Sequence, residues 1–373
     1  MILFDNIYSG KTVIVTGHTG FKGSWLSIWL TQLGARVVGI SDNVPPYESN
    51  FECSEVSCIV EDHRVDIRNT DAICEIFLAE KPDFIFHLAA QALVKNSYEN
   101  PFETISVNAL GSISILEALR RAEFSKTVIS IMITSDKAYD NVEWKWGYRE
   151  TDSLGGRDPY SASKGMAELG IRSYVDSYFN DENSNIVIGI TRAGNVIGGG
   201  DWALSRIIPD CIKSWSRNES VSIRNPRATR PWQHVLEPLS GYLLLGATLA
   251  ESRINHGQAY NFGPSSDRNY SVQSLINEMA KYWEKVIWQD VSDKAEEFHE
   301  AGLLKLNCDK ALFDLNWQPA MGFHDTVRMT AEWYCNYYGE NSSAMRDFTI
   351  SQINEYIVIA KLKGISWALD YDK

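Results

Sequence analysis

The first half of the chain alternates short apolar runs, rich in β-branched residues, with longer stretches that have the spacing of amphipathic helices. The runs that indicate strands are residues 12–16, 36–40, 83–87, 128–134 and 186–191. Apolar strands joined by crossover helices form parallel sheets that are covered on both faces. The alternation therefore predicts an α/β domain built on a doubly wound parallel sheet.

The second half is less regular, because glycines at 198–200 and the pairs Asn225-Pro226 and Arg230-Pro231 interrupt the pattern. We expect a smaller mixed α/β domain there, with part of the later chain, including a strand-like run at 259–262, returning to the main sheet. The expected division is a main domain of residues 1–190 plus about 233–263, a smaller domain of about 191–232 plus 264–340, and a helical C-terminal extension of 341–373.

Composition excludes several classes of protein. The 373 residues include 35 Lys and Arg against 48 Asp and Glu, so a net charge of −13 argues against a general binder of nucleic acid or anionic membranes. Six cysteines without a Cys-x-x-Cys pair and seven scattered histidines lack metal-ligand spacing, so we expect no metal. The start of the chain lacks a signal-peptide pattern, and the longest nearly apolar run, 239–250, is far shorter than the ~20 residues of a membrane span. We therefore expect reduced thiols and a cytoplasmic protein.

A glycine-rich segment stands between the first strand and the helix that follows it. Glycines at this place allow a tight turn and a close approach to a pyrophosphate, while the helix N-terminus offers N–H groups to the anion. A glycine-rich turn without a ligand is the alternative. The segment predicts a dinucleotide site of Rossmann type, formed by Gly17, Thr19, Gly20, Phe21, Lys22 and Gly23.

Further cofactor contacts are expected at the carboxyl ends of the next strands, where open α/β sheets bind ligands. Asp42 follows the second strand, at a distance from Gly23 where an acid holds the adenosine ribose and repels a 2′-phosphate. This favours NAD over NADP, although Arg36 on the same strand argues against it. The other candidates, for which ordinary loop residues are the alternative, are Asp66, Ile67, Leu88, Ala89, Ala90 and Gln91.

Tyr160 and Lys164 are four residues apart at the start of a predicted helix, so both side chains lie on one face. An ammonium beside a phenol favours the phenolate, which would let Tyr160 act as a base near neutral pH. Ser135, directly after the run 128–134, is placed to hydrogen-bond the Tyr160 oxygen and a substrate hydroxyl. The three residues together predict oxidation of an alcohol.

Asp136 and Lys137 directly follow Ser135. They supply a second acid and base that hydride transfer alone does not require. A charged pair in a surface turn is the alternative.

Five motifs in this order resemble the extended short-chain dehydrogenases/reductases that modify nucleotide sugars. Within that group, Ser135-Asp136 ahead of the tyrosine is similar to the 4,6-dehydratases, and this chain has Lys137 where Glu is usual. The motifs are residues 16–23, His87-Leu88-Ala89-Ala90, Thr134-Ser135-Asp136, Tyr160-x-x-x-Lys164 and Arg192-x-x-Asn195.

The resemblance implies a reaction cycle on a sugar nucleotide with NAD as a catalyst that ends as it began. Tyr160 takes the proton of the 4-hydroxyl while C4 gives a hydride to NAD, water is then lost from C5 and C6, and the hydride returns to C6. Asp136 is implied as the acid for the departing 6-hydroxyl. Lys137 is either the base at C5, which its position favours, or a cation that stabilises the enolate. Asn108 is implied as a further cofactor contact.

A basic stretch is the candidate for the substrate diphosphate. Between Glu219 and Glu237 the chain has no carboxylate but carries three arginines, and guanidinium groups bind phosphate oxygens in pairs. A solvated basic face is the alternative, and it is favoured for Arg227. The resemblance implies a cytidine diphosphate glucose as substrate, and the candidate substrate contacts are Ser97, Asn195, Arg206, Arg224, Arg230 and His234.

Two rival functions remain open. A nucleotide-sugar 4-epimerase would need Tyr160 and Lys164 but not Asp136 and Lys137, and a catalytically silent NAD-binding regulator would need only the glycine loop. The resemblance also implies at least a homodimer, formed when the helix of Tyr160 and its neighbour pair into a four-helix bundle. It further implies a supply of deoxysugars for surface polysaccharide such as the O-antigen of lipopolysaccharide.

Overall fold

A parallel sheet forms the centre of the molecule in the computed structural model, which describes residues 3–265, 269–292, 303–339 and 344–369. The strands in chain order are β1 (Thr12–Thr16), β2 (Arg36–Ser41), β3 (Glu61–Arg64), β4 (Phe84–His87), β5 (Val128–Ile133), β6 (Ile186–Ala193), β7 (Val196–Ile197), β8 (Val221–Ile223), β9 (Thr229–Arg230), β10 (Gln233–His234), β11 (Ala259–Phe262), β12 (Tyr270–Ser271) and β13 (Trp288–Asp290). The main sheet has the order β11-β6-β5-β4-β1-β2-β3 with every pairing parallel. The predicted doubly wound α/β architecture is confirmed.

Helices cover both faces of this sheet. In chain order they are α1 (Phe21–Gln32), α2 (Asn50–Cys53), α3 (Thr70–Glu80), α4 (Val94–Glu99), α5 (Pro101–Ile105), α6 (Gly111–Arg121), α7 (Pro159–Tyr174), α8 (Ile207–Ser216), α9 (Leu236–Glu251), α10 (Val272–Met279), α11 (Asp309–Leu315), α12 (Phe323–Tyr337) and α13 (Met345–Leu362). Among the described helices, none combines the length and the apolar character that a membrane crossing requires.

Alternate residues of each strand supply two separate cores, as the two-residue period of a strand requires. Val13 on β1 packs with Trp25 of α1 in one core, whereas Ile14 packs with Phe77 of α3 and Ile115 of α6 in the other. Because both faces of β1 are buried, its three central residues, Val13 to Val15, are all apolar rather than alternating with polar ones. β6 is likewise buried on both faces, since all its residues from Ile186 to Ala193 are buried.

The observed boundaries agree with the predicted ones to within one residue at most strands, but β3 was not among the predicted runs. The run at 259–262 is β11, which pairs with β6 and so confirms that the later chain returns to the main sheet. The fifth predicted run is longer than expected, because β6 continues to Ala193. The sequence pattern over 271–283 is typical of a helix, but the observed α10 ends earlier, at Met279, where i→i+3 hydrogen bonds from the backbone N–H groups of Lys281 and Tyr282 close its last turn.

Short strand pairs connect the irregular second half. β7 pairs with β10, β9 with β12, and β8 with β13. Together with α8, α10 and α12 they form a layer that lies over the carboxyl ends of the main strands near β6. This places the segment after β6 beside the segment around residue 230, where the substrate candidates lie.

The C-terminal helix α13 is bound to the main domain through a buried carboxylate. Glu237 of α9 accepts hydrogen bonds from the backbone N–H groups of Ala320 and Met321 (3.0 and 2.5 Å) and from the Tyr356 hydroxyl (2.9 Å). Burial raises the pKa of Glu237 to about 7, and the two backbone hydrogen bonds oppose that rise. One side chain thus joins α9, the segment before α12, and α13.

Candidate active site

The glycine loop between β1 and α1 is packed too closely for side chains. Gly17 has φ +75°, and a Cβ there would lie 2.7 Å from the backbone nitrogen of Ala89. A Cβ at Gly23 would lie 2.0 Å from the Gly17 carbonyl oxygen. Gly20, the residue before α1, has no side chain to cap the first turn of the helix. The loop thus lacks bulky side chains, the N-terminus of α1 has no side-chain cap, and the loop's neighbour after β4 is the small residue Ala89. These features fit a dinucleotide pyrophosphate.

The adenosine end of the predicted cofactor site lies beyond β2. The Thr19 hydroxyl donates to the carbonyl of Asn43 and shares a hydrogen bond with Ser41, both at 2.8 Å, so the glycine loop is tied to the end of β2. Asp42 lies in that same turn with its side chain exposed. A carboxylate with an open side beside the loop has the placement expected of a ribose ligand.

Asp66 and Ile67 follow β3 but have structural partners. The Asp66 carboxylate pairs with the Arg68 guanidinium, and that interaction lowers the pKa of Asp66. The Ile67 side chain is buried against Gly111, where a Cβ would lie 2.5 Å from it. Any contact that Ile67 makes with a cofactor therefore comes from its backbone.

Asn108 holds the loop after β4, which carries Leu88, Ala89, Ala90 and Gln91. Its amide oxygen accepts from the backbone nitrogen of Gln91 (2.8 Å), and its amide nitrogen donates to the Gln91 carbonyl (3.0 Å) and to Ser163 on α7 (2.9 Å). Asn108 is 1% exposed, so it positions the loop rather than offering a surface to a ligand.

The predicted catalytic residues converge at the end of β5. Ser135 donates to Asp136 (3.0 Å) and accepts from the backbone nitrogen of Lys137 (3.2 Å). The Lys137 ammonium lies 4.0 Å from the Asp136 carboxylate. Tyr160 and Lys164 share one face of α7, with the lysine nitrogen 5.9 Å from the centre of the phenol ring. A hydrogen bond with Ser135 and the charge of Asp136 both affect the pKa of Tyr160, so the two groups of residues form one site.

Burial controls protonation at this site. It raises the pKa of Tyr160 to about 12, with the nearby charge of Asp136 as the second cause, while the Ser135 hydrogen bond opposes the rise. It also lowers the pKa of Lys164 to about 8, against the attraction of Glu168. The expected favouring of the phenolate by the Lys164 ammonium is thus opposed by the desolvation of Tyr160, and the role of Tyr160 as a base stays a prediction.

A buried ion pair behind the site was not predicted. Arg192 of β6 pairs with Glu168 of α7, and both side chains are 0% exposed. Glu168 also accepts from Thr134 (2.7 Å), and Arg192 donates to the Tyr139 hydroxyl (2.7 Å). Glu168 lies one helical turn beyond Lys164, so the spacing Lys-x-x-x-Glu was the available sequence signal.

The predicted substrate residues differ in exposure. Asn195, Arg206, Arg224 and Arg230 are at least partly exposed, whereas Ser97 and His234 are buried. Arg206 lies near Tyr160 and pairs with Asp201 (2.8 Å), while Arg224 and Asn195 are exposed in the overlying layer. His234 is fully buried with its ring edge against Trp25, at 5.7 Å between ring centres, and burial lowers its pKa to about 3. The hydroxyl of Ser97, which is buried, donates to the Val94 carbonyl. Arg230 is half-buried in β9.

A pocket adjoins Asp136. Most of its wall comes from segments that the sequence motifs did not identify, because they carry no chemical signature. The lining consists of Asp136, Gly194, Pro231, Gly263, Pro264, Ser265, Asn269, Leu304, Lys305 and Leu306. Loops that lie far apart along the chain therefore meet beside Asp136.

One cluster in the described residues has metal-ligand proximity, namely Glu61, His63 and Glu80. Arg36 pairs with both of its carboxylates, so the cluster already has a cation. It lies at the edge of the sheet on β3, away from β5.

A doubly wound sheet, a bare glycine loop and a Ser, Tyr and Lys set at the end of β5 define the class of short-chain dehydrogenases/reductases that act on nucleotide sugars. The family model for GDP-mannose 4,6 dehydratase matches residues 14–330. The chain belongs to this family of nucleotide-sugar 4,6-dehydratases.

The similarity to particular relatives extends over most of the chain. It is 44% identical over 333 residues to the CDP-glucose 4,6-dehydratase of Salmonella typhimurium, an alignment that covers 88% of this chain and 92% of that protein. It is 24% identical over 333 residues to the dTDP-D-glucose 4,6-dehydratase of Bos taurus, covering 87% and 88% of the two chains.

Two solved structures show the same fold. The dTDP-glucose 4,6-dehydratase DesIV of Streptomyces venezuelae, with NAD and TYD bound, has a TM-score of 0.73 at 19% identity and covers 89% of this chain and 99% of its own. The UDP-glucose 4-epimerase of Thermotoga maritima, with UDP-glucose, also has a TM-score of 0.73, at 20% identity, with 88% and 100% coverage.

The Glu168–Arg192 pair yields a stability prediction. Glu168→Gln removes the charge that compensates Arg192 in a place without solvent, so we expect a loss of about 3–5 kcal/mol in the free energy of unfolding. Urea denaturation followed by circular dichroism measures it. The control is Glu117→Gln, which breaks the exposed pair with Arg120 and should cost less than about 1 kcal/mol. Equal losses of unfolding free energy in both variants would show that the buried pair contributes no more to stability than the exposed pair does.

Proposed function

We propose that the chain converts CDP-D-glucose to CDP-4-dehydro-6-deoxy-D-glucose and water, with NAD regenerated in each cycle. The observation that carries the proposal is the acid and amine pair Asp136 and Lys137 beside Ser135, Tyr160 and Lys164 at the end of β5. An epimerase needs no second acid and base. The 44% identity with a CDP-glucose 4,6-dehydratase supports the cytidine nucleotide.

NAD is the proposed cofactor, held by the glycine loop (17–23), by Asp42 and by the loop 88–91 that Asn108 positions. When bound, it accepts a hydride from C4 of the sugar and returns it to C6. The chain's own groups then have three tasks: to remove the C4 hydroxyl proton, to remove water, and to hold the substrate.

Tyr160 performs the first task. Its oxygen takes the proton of the 4-hydroxyl as C4 is oxidised, while the Ser135 hydroxyl hydrogen-bonds the same phenol. A phenol whose pKa is near 12 needs further positive charge to act as a base. Lys164, on the same face of α7, supplies part of that charge, and the ring of a bound oxidised nicotinamide would add to it.

Asp136 and Lys137 perform the second task. Asp136 first takes a proton from the Lys137 ammonium, which lies 4.0 Å away. The C4 ketone acidifies the C5 hydrogen, the neutral Lys137 amine removes it as a proton, and the C6–O bond breaks as the Asp136 carboxylic acid protonates the leaving hydroxyl. The 4.0 Å separation of the two charged groups places them on one small region of the sugar. Asp136 is 5% exposed, which keeps its proton from exchanging freely with bulk water during this step.

Holding the substrate is the third task. Arg206 is near enough to Tyr160 to affect its pKa, so it is the arginine best placed for the phosphate next to the glucose. Arg224, Arg230 and Asn195 are proposed to serve the rest of the diphosphate, and the neighbours of the last two, Pro231 and Gly194, line the pocket at Asp136. Ser97 is proposed to border the sugar from α4.

The proposal also has a cellular part. The product is a keto-deoxy sugar nucleotide, the chemical form from which deoxysugars of surface polysaccharide, O-antigen included, are made. All six cysteines are free thiols, which supports a reducing, cytoplasmic location. They are Cys53, Cys58, Cys74, Cys211, Cys308 and Cys335.

The reaction itself is tested by mass spectrometry in heavy water. CDP-glucose, UDP-glucose, dTDP-glucose and GDP-mannose are each incubated with the protein and NAD. We expect CDP-glucose to lose one water and to retain one solvent deuterium at C5, without accumulation of NADH. Unchanged mass with all four substrates would contradict the proposal, and sugars epimerised at C4 would identify the rival activity.

Asp136→Asn separates the two halves of the cycle. The variant keeps Tyr160 and Lys164 but lacks the acid for the leaving hydroxyl, so we expect C4 oxidation followed by a stall, with product formation at least about 100-fold slower. Absorbance at 340 nm reports the trapped reduced cofactor. Tyr160→Phe is the matched control, because it should show neither reduced cofactor nor product. Product release by Asp136→Asn at the wild-type rate would remove Asp136 from the mechanism.

We further propose a homodimer in which α7 and the neighbouring α5 pack against the same helices of a second copy. Large apolar side chains are exposed on these two helices and on the π-helical segment Ser106–Leu110 that joins α5 to α6, where a monomer would leave them in water: Phe102 (81%), Leu110 (53%), Met166 (46%) and Leu169 (58%). Exposure of this kind on adjacent helices is typical of a four-helix contact.

Light scattering after size exclusion tests the dimer. We expect a mass of about 84 kDa, twice the 42.1 kDa of the chain, and a shift toward the monomer in Leu169→Asp. Leu362→Asp, on the exposed side of α13, is the control and should keep the dimer. A wild-type mass near that of one chain would contradict the proposal.

A further inference from the structure

Lys22 is placed unusually for a residue of a phosphate loop. It is the second residue of α1, yet its ammonium does not point along the helix N-terminus into solvent. It donates to the hydroxyl of Tyr242 on α9 (3.3 Å) and lies 5.8 Å from the centre of that ring. Tyr242 is 0% exposed, so the hydrogen bond anchors the lysine against the protein interior.

The surroundings of the Lys22 ammonium are those of the catalytic site. Asp136 attracts it, while Arg206 and Lys164 repel it. Tyr242, its hydrogen-bond partner, also interacts with the charge of Asp136. Burial and the two nearby cations lower the pKa of Lys22 to about 8, so the ammonium form predominates at neutral pH. Lys22 therefore adds a positive charge between the glycine loop and the Tyr160 and Lys164 pair.

This is the place where the reactive end of a dinucleotide belongs. The glycine loop holds the pyrophosphate, and Tyr160 marks the carbon that loses the hydride, so the nicotinamide lies between them. An oxidised nicotinamide ring carries a positive charge, whereas the reduced ring is neutral, and the pyrophosphate has the same charge in both forms. A fixed cation near the ring thus acts on the two oxidation states differently.

We propose that Lys22 weakens the binding of NAD+ relative to NADH and so favours hydride transfer from C4 of the substrate to the bound cofactor. This inference rests on the proposed NAD cofactor. In that step the two electrons and the hydrogen of the C4–H bond pass to the nicotinamide, and the hydroxyl proton passes to Tyr160. The charge of the ring is lost in the same step, and with it the repulsion from Lys22. Lys22 is a positioning residue that acts by its charge, and it exchanges no proton with the sugar.

The test is a competition titration in which NAD+ displaces NADH from the purified protein, followed by NADH fluorescence. It gives the ratio of the two dissociation constants directly, without turnover. In Lys22→Met, of similar length but neutral, we expect the ratio Kd(NAD+)/Kd(NADH) to fall about tenfold. Lys22→Arg retains the charge and should keep the ratio within about twofold. Lys11→Met removes an exposed lysine from the same domain and should leave the ratio unchanged.

Each result decides the proposal. Equal weakening of both dinucleotides in Lys22→Met, with the ratio unchanged, would assign the ammonium to the pyrophosphate and overturn it. If Lys22→Met does not fold, as judged by urea denaturation, Lys22→Gln replaces it with the same expected fall. A tenfold fall in a protein that dehydrates no sugar nucleotide would support the role of Lys22 and contradict the proposed function. Normal dehydration of the sugar nucleotide, with the ratio of dissociation constants unchanged in Lys22→Met, would support the proposed function and contradict the role of Lys22.

Discussion

The structure depends most on one buried ion pair, Glu168 with Arg192. Two charges without solvent exposure cost a large desolvation energy, and only a complete set of hydrogen bonds offsets it. Here the set is nearly complete: Glu168 accepts from Thr134 and from two nitrogens of Arg192, and the guanidinium also donates to the Tyr139 hydroxyl and the Glu150 carbonyl. The pair therefore fixes the positions of β5, β6 and α7 relative to one another.

Those three elements carry the chemistry, so the pair determines the geometry of the site without contacting a substrate. Thr134 directly precedes Ser135, and Glu168 is one turn from Lys164. The network continues outward, because Tyr139 donates to Asn261 (2.8 Å) and Asn261 donates to the carbonyls of Tyr148 and Asn307. A single chain of hydrogen bonds thus links the end of β5 to β11 and to the segment that lines the pocket before α11.

The sequence was sufficient for features that repeat or that carry a chemical motif. The apolar runs predicted the main sheet because strands buried on both faces leave a nearly continuous pattern, and the strand at 259–262 was identified for the same reason. Ser135, Asp136, Tyr160 and Lys164 were identified together because their spacing follows from strand ends and a helical turn. These features are local, and local spacing is visible in one sequence.

What the sequence did not reveal depends on partners that are distant along the chain. The partner of Arg192 lies 24 residues away and that of Lys22 lies 220 residues away, so no spacing rule connects them. The pocket wall of Gly263, Pro264 and Leu304–Leu306 contributes mainly shape. The rise in the pKa of Tyr160 was not foreseen for a related reason: the proximity of Lys164 follows from helix spacing, but desolvation depends on everything packed around the phenol.

The raised pKa of Tyr160 is itself informative about the cycle. Burial raises the pKa of the phenol to about 12, and a bound oxidised nicotinamide would add a cation that, together with Lys164, favours the phenolate. Tyr160 would then accept a proton most readily while the cofactor is oxidised. After hydride transfer that added charge would be lost and burial would again favour the protonated phenol, so the proton taken from the 4-hydroxyl would stay on Tyr160 while water is lost. The same desolvation that opposes the first step thus protects the ketone during the second, and the return of the hydride restores the charge that frees the proton.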